Sequence, residues 1–270
     1  MLKELSAGFC LKAFLAELIA TFLFVFVGLG STLSWSLGIP TVLQIAFTFG
    51  LGIGTMIQAV GHISGAHLNP AVSIALLVGA RISLVQTLFY IIAQMLGAVI
   101  GAALLSEFVS PEIKGGFGVN QPSNNVTAGQ ALAIEIVLTF QLVLCIFAST
   151  DNQRSDNIGS PAISIGLSVV LGHLLGIYYT GCSMNPARSF GPALITGNFE
   201  YHWIFWVGPI TGAILACLVY DYLFVHYSIS SSERMEILRG NMQENEKEER
   251  RKQSVGLNSL YSQSNHKEKV

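Results

Sequence analysis

Two copies of the triplet Asn-Pro-Ala, Asn69-Pro70-Ala71 and Asn185-Pro186-Ala187, are the residues whose type and spacing point most directly to chemistry. Asparagine caps helix starts, and proline suits the first helical turn because its missing N–H costs nothing there. A helix N-terminus exposes unpaired N–H groups and the equivalent of about half a positive charge. Two such ends facing one cavity repel cations. The amides of Asn69 and Asn185 can be held by local backbone and still donate N–H into the space between them. A water molecule passing two such donors turns its oxygen to both and its hydrogens away, which breaks the relay a hopping proton needs. A capping role alone accounts for one such triplet. Two triplets in register within a repeat speak for a pore.

Arg188 follows the second triplet where the first has Val72. A guanidinium is always charged and carries five donors, and inside an apolar environment it is costly enough to be a functional candidate by default. It would repel cations and donate hydrogen bonds to passing water; pairing with a buried acid is the structural alternative. Glu17 and Glu135 are the other ionisable groups deep in apolar segments. They are expected to brace the backbone around the two triplets rather than to bind substrate. His173, in Leu171-Gly172-His173-Leu174, reads on its own as a packing residue, and His62 and His67 flank the first triplet, where His67 could line a vestibule.

The elements that position these residues are membrane spans. The chain has 270 residues, 51% hydrophobic and only 11% charged, against about 25% charged in a soluble domain. Half of the charged side chains fall after His226. A span needs about 20 mostly apolar residues, and six segments qualify, roughly 10–33, 41–60, 84–107, 129–149, 160–179 and 202–226. Two apolar stretches, near 68–78 and 186–196, are too short to cross and begin at the triplets. They read as helices starting at mid-membrane, which survive only where they are buried in protein or line a wet cavity. The first apolar stretch is too long for a cleaved signal, and the four cysteines (Cys10, Cys145, Cys182, Cys217) show no CxxC spacing. No basic patch of the kind nucleic acid requires is present. No nucleophile–base pair, phosphate loop or metal cluster is visible, so neither an enzyme nor a cofactor is expected.

Loop charge sets the orientation. Lys3, Lys12, Arg81, Arg154 and the tail share one side, and Lys114 stands almost alone on the other. Positive-inside places both termini in the cytoplasm and the 108–128 loop, with its sequon Asn125-Val126-Thr127, outside. The sequence also repeats. Gly65-Ala66-His67-Leu68-Asn69-Pro70-Ala71-Val72-Ser73 matches Gly181-Cys182-Ser183-Met184-Asn185-Pro186-Ala187-Arg188-Ser189, Gly50 pairs with Gly166, and Glu17-x-x-x-Thr21 pairs with Glu135-x-x-x-Thr139. Each half holds three spans, so the halves insert with opposite topology, an arrangement that places the functional site at the midplane where broken helices meet.

These residues resemble the aquaporins. The two triplets, the paired Glu-x-x-x-Thr elements, Ser64-Gly65-Ala66-His67 and Thr180-Gly181-Cys182 carry the likeness, from about Ala13 to Tyr227. The resemblance implies an all-α membrane protein, a right-handed bundle of six transmembrane helices and two re-entrant half-helices. It implies a homotetramer in membrane lipid with one water pore per subunit. It also implies an outer constriction of Phe49, His173, Cys182 and Arg188, in which Phe49 is a bulky wall, His173 and Arg188 are polar donors and Cys182 contributes mainly backbone. A ring of that bulk admits one water and excludes glycerol. The glycerol-conducting branch has Asp after the arginine and a small residue at the histidine position; Ser189 and His173 stand here. A thiol at Cys182 predicts block by mercurials, because a thiolate is a soft metal ligand.

The organisation that follows is a cytoplasmic N-terminus (1–9), a channel domain (10–227, with halves at about 10–107 and 129–226) and a cytoplasmic tail (228–270). Within the tail, 230–240 is expected to form a short amphipathic helix, and the polar remainder to be disordered. Arg250-Arg251-Lys252-Gln253-Ser254 suits a basophilic kinase such as protein kinase A. With Glu248-Glu249 before it, the run resembles the tails of a vasopressin-regulated branch of the family, which implies that Ser254 phosphorylation controls delivery to the apical surface from vesicles. Two other functions remain open at this stage. One is a gated anion or small-solute channel, with Gly50, Gly52 and Gly54 altering the packing of the second span. The other is a junctional membrane protein, against which the long 108–128 loop argues.

Overall fold

The computed structural model describes residues 7–225 and 230–240, apart from 37, 152, 153, 155, 157 and 158. All named elements among them are helical. Six helices are long and apolar enough to cross a membrane: α1 (Ala7–Gly30), α2 (Val42–Ser64), α4 (Leu84–Glu107), α6 (Ala128–Ser149), α7 (Pro161–Thr180) and α9 (Ile204–Leu218). The last span continues as a π turn over Val219–Phe224. Between them lie the half-helices α3 (Pro70–Val78) and α8 (Pro186–Thr196), a single turn α5 (Pro111–Lys114) and, after the last span, α10 (Ser231–Leu238).

The contacts follow the repeat. α1 packs on α4 as α6 packs on α9, and α2 meets α7 where the halves join. Each half-helix packs on the last span of the opposite half, α8 on α4 and α3 on α9. Neither half therefore completes its own wall. The pattern within a span inverts that of a soluble helix. On α1 the large residues Leu11, Leu15, Ile19, Leu23 and Val27 face outward at every fourth position, while Ala13, Ala16 and Ala20 are buried. Small residues inside let the helices approach closely, and lipid receives the bulk. A Cβ at Gly101 would fall 2.6 Å from the Phe22 carbonyl oxygen, and Cβ atoms at Gly50 and Gly166 would fall 2.5 and 2.7 Å from each other's carbonyl oxygens. Glycine is needed at these crossings because backbone meets backbone.

The end of the bundle at which the last span finishes is held by charge. Arg81, just past α3, makes a two-pronged contact with Asp221 on the π turn, at 2.7 and 2.9 Å, with its guanidinium 4.2 Å over the Phe147 ring. Asp221 lies within that π turn. α10 lies against the same end: Ile237 is buried with Ala80, and Arg234 donates to the Val78 carbonyl at the C-terminus of α3. A cation at that terminus is favoured by the helix dipole. The tail beyond Gly240, including Ser254, lies outside the described residues.

Candidate functional site: a pore between two half-helices

Both half-helices begin with the same local chemistry. Asn69 and Asn185 sit in extended backbone and cap α3 and α8 through their side-chain oxygens, Asn69 Oδ1 accepting from Ala71 N at 2.9 Å and Asn185 Oδ1 from Ala187 N at 3.0 Å. Pro70 and Pro186 occupy the first turns. Each side-chain amide then reaches across the repeat. Asn69 Nδ2 donates to the Met184 carbonyl at 2.7 Å, and Asn185 Nδ2 donates to the Leu68 carbonyl at 2.9 Å. An amide nitrogen has two N–H groups, so each asparagine keeps a second donor after this bond.

The loops before the triplets are strained in register. Gly65, Ala66 and Leu68 have φ of 88°, 51° and 54°, and Gly181, Cys182 and Met184, each 116 positions later, have 73°, 55° and 52°. Left-handed backbone costs a non-glycine residue on the order of 1 kcal/mol, and it persists because acids hold it. Glu17 accepts from the Ser64 hydroxyl (2.6 Å), the backbone N–H groups of His67 and Leu68 (2.8 Å each) and Gln94 Nε2 (2.8 Å). Glu135 accepts from the Thr180 hydroxyl (2.6 Å) and the N–H groups of Ser183 and Met184 (2.9 Å each). Both carboxylates are fully buried, and neither is paired to Arg188.

On the side of the triplets away from Arg81 and Asp221, Phe49, His173, Cys182 and Arg188 come together, all at most 2% exposed. The rings of Phe49 and His173 stack at 4.4 Å and 20°, and the Arg188 guanidinium lies 4.8 Å over Phe49. A Cβ at Gly28 would fall 2.5 Å from Phe49 Cε1, so glycine on α1 makes room for that ring. His173 Nδ1 bonds the Val169 carbonyl at 3.0 Å. A carbonyl only accepts, so the proton sits on Nδ1, and in the neutral ring Nε2 is an acceptor rather than the donor that the sequence suggests. His173 Nε2 and Arg188 Nε find no hydrogen-bond partner among the described residues. Arg188 Nη1 donates to the Gly118 carbonyl at 2.6 Å. Val72, the counterpart of Arg188, is a buried apolar residue of α3.

On the other side a cavity of about 370 Å³ runs from the exposed end to Asn69, lined among others by Ile57, His62, His67, Arg81 and Tyr90. His67 is tied down there, with Nδ1 3.0 Å from the Ser73 hydroxyl and its ring edge-on to Tyr90 at 4.9 Å. Sequence reasoning missed two contributors. Gln94 supplies a side-chain donor to Glu17, and the 108–128 loop, read as an outer loop, folds inward so that Phe117 and Asn120 are each 2% exposed. Its Gly-Gly-Phe-Gly run was the available signal, since glycines cluster where the chain must take left-handed turns. Asn125, on the same loop, is exposed.

Two half-helices meeting end to end, inside a six-span inverted repeat and below a ring that carries one arginine, define a membrane channel of one fold. The sequence matches the family described as Major intrinsic protein over residues 4–220, and the chain belongs to that family. It is 59% identical to Aquaporin-2 of Bos taurus over 254 residues, covering 93% of this chain and 94% of that protein. It is 54% identical to Aquaporin-5 of Homo sapiens over 258 residues, covering 93% and 97%. Among solved structures, the aquaglyceroporin from Plasmodium falciparum superposes with a TM-score of 0.73 at 24% identity, covering 80% of this chain and 98% of that one, a likeness of fold.

Proposed function

We propose that this chain is a water-selective channel that passes water in either direction down an osmotic gradient. The observation that carries the reading is the stacked Phe49–His173 pair with Arg188 over the Phe49 face, set above two asparagines that each keep a free amide N–H. Water in single file accepts from Asn69 and Asn185, and its oxygen is turned to the centre. Protons then have no continuous donor–acceptor chain, and cations meet two helix N-termini and a guanidinium. The ring offers one acceptor at His173 Nε2 and donors on Arg188, which suits a molecule as small as water and crowds out glycerol. The similarity to proteins named Aquaporin-2 and Aquaporin-5 supports the same reading.

Several finer points belong to it. Large apolar residues on the outer faces suit a lipid surround, and likeness to the family supports a homotetramer. It lies in the plasma membrane with both termini cytoplasmic. Asn125 is exposed on the outer loop and is available for glycosylation. Ser254 is the site through which a kinase of the protein kinase A type moves the channel from vesicles to the apical surface; with Ser254→Ala, surface labelling stays flat when cyclic AMP rises.

Osmotic swelling of oocytes expressing the chain tests the pore reading, measured beside glycerol uptake and with and without mercuric chloride. Fast mercury-sensitive swelling without glycerol entry supports it. Surface protein without swelling sinks it. Ion currents under the same conditions would favour an anion or small-solute channel, and cell clustering on expression would favour a junctional protein.

A further inference from the structure

The loop between α4 and α6 reaches the constriction through its backbone. Gly115, Phe117 and Gly118 have φ of 50°, 50° and 64°, which turns the chain back into the bundle. Phe117 is buried in the same apolar cluster as Leu29 and Leu33 of α1 and the turn after it. A Cβ at Gly118 would fall 2.7 Å from Leu29 Cδ2 and 3.1 Å from Thr32 Oγ1, so only glycine sits there without displacing that end. From this seat the Gly118 carbonyl meets Arg188.

Two residues on, Asn120 is buried and makes two bonds. Its Nδ2 donates to the Thr180 carbonyl at 3.0 Å, and its Oδ1 accepts from the Ser189 hydroxyl at 2.7 Å. Thr180 precedes Cys182 by two residues, and Ser189 is the residue after Arg188. Ser189 also shares a 2.6 Å bond with Ser183. The loop then continues along the end of α7. Gln121 N donates to Thr180 O (3.3 Å), Ser123 N to Tyr179 O (2.9 Å) and the Ser123 hydroxyl to Tyr178 O (2.8 Å). These are carbonyls that a helix leaves unpaired in its last turn. The loop therefore caps the span that bears His173 and grips the half-helix that bears Arg188.

We infer that Asn120 is a positioning residue for the constriction. By clamping the loop to Thr180 and Ser189 it fixes the Gly118 carbonyl, and that carbonyl fixes the Arg188 guanidinium. The inference rests on the reading of Arg188 as part of the pore wall. Arginine has a long rotatable stem, and the Gly118 bond and the Phe49 face are what hold its head. Freed from the carbonyl, the guanidinium samples positions away from Phe49, and the ring admits solutes somewhat larger than water. Asn120 in this way sets solute exclusion without being needed for water flow itself.

The test compares wild type with Asn120→Ala, Ser189→Ala and Arg188→Val in oocytes, with surface protein quantified. Osmotic water permeability and urea uptake are both expressed per surface channel. Asn120→Ala is expected to keep water flow and to raise the urea-to-water ratio about tenfold, the order set by losing one hydrogen bond to a charged group. Ser189→Ala removes one of the two clamping bonds and is expected to move the ratio the same way by less, with Arg188→Val as the ceiling. An unchanged ratio in Asn120→Ala at the surface overturns the inference. So does a fall of both permeabilities in parallel, which is what a purely structural role would give. If Asn120→Ala fails to reach the surface, Ser189→Ala decides by the same criterion. A wild-type chain that carries no water fails the pore reading itself, before any variant is compared.

Discussion

Asn69 and Asn185 each donate into the loop that precedes the other, to the Met184 and Leu68 carbonyls at 2.7 and 2.9 Å. The exchange is reciprocal, like the repeat that produces it. It fixes the distance between the two half-helix ends and the direction in which the remaining amide N–H groups point. Both depend on the strained loops, which the two buried acids hold.

Those acids give the first prediction. Glu135 accepts three donors on two oxygens. Glutamine has one oxygen and an NH2 group, so Glu135→Gln leaves at least one buried donor unpaired. The cost is about 2 kcal/mol or more, seen as a lower thermal unfolding midpoint in detergent. Glu17→Gln, which faces four donors, should be hit at least as hard. A midpoint equal to wild type would show that the acids do not hold the loops.

A second prediction concerns the crossing of α2 and α7. A methyl at Gly166 would stand 2.7 Å from the Gly50 carbonyl oxygen, and neither backbone yields cheaply. Gly166→Ala should cost about 1–3 kcal/mol and lower the amount of folded protein recovered. Recovery and melting like wild type would mean that the two helices separate more easily than their contact suggests.

The proposed place of Cys182 in the constriction gives a third. If Cys182 lines the constriction as proposed, mercuric ion replaces its thiol proton and leaves a bulky adduct beside Phe49, His173 and Arg188. Cys182→Ser should therefore conduct water and ignore mercuric chloride, read by stopped-flow light scattering of proteoliposomes. Persistent block would move the reactive thiol to another cysteine.

The fourth concerns Arg81 and Asp221. The side chains are 23% and 9% exposed and bonded at 2.7 Å, so removing one leaves a poorly solvated charge. Arg81→Gln or Asp221→Asn should each destabilise by about 3 kcal/mol, and the double variant by less than the two together. Additive losses in a double-mutant cycle of unfolding free energies would show the contact to be idle.

Much of this was legible before any coordinates. Span lengths follow from bilayer thickness, which is why 84–107 and 129–149 agree with α4 and α6 to within a residue. The half-helices announce themselves because proline and asparagine mark a helix start. Two things were hidden. The Asp221–Arg81 contact joins residues 140 positions apart, and the π turn that holds Asp221 has no sequence signature. The grip on Arg188 comes from a main-chain carbonyl at Gly118, and any residue type supplies a carbonyl. Side-chain chemistry could be read from composition and spacing; backbone chemistry appeared only once the loop had a path. That path also weakens the use of the 108–128 loop as a spacer against contact between outer faces, because part of it is folded into the mouth.

The reciprocal asparagine bonds also order events during synthesis. Asn69 waits for a carbonyl 115 residues further along the chain, roughly ten seconds of ribosome travel. Throughout that interval the re-entrant helix of the first half has only α4 to pack on, and α9, the span on which α3 mainly rests, has not yet been made. The nascent first half is thus an unfinished wall, open to whatever chaperones guard the translocon. A stop codon before Met184 produces no half-sized pore, only a chain in which the α3 cap lacks the carbonyl it donates to and the span it rests on.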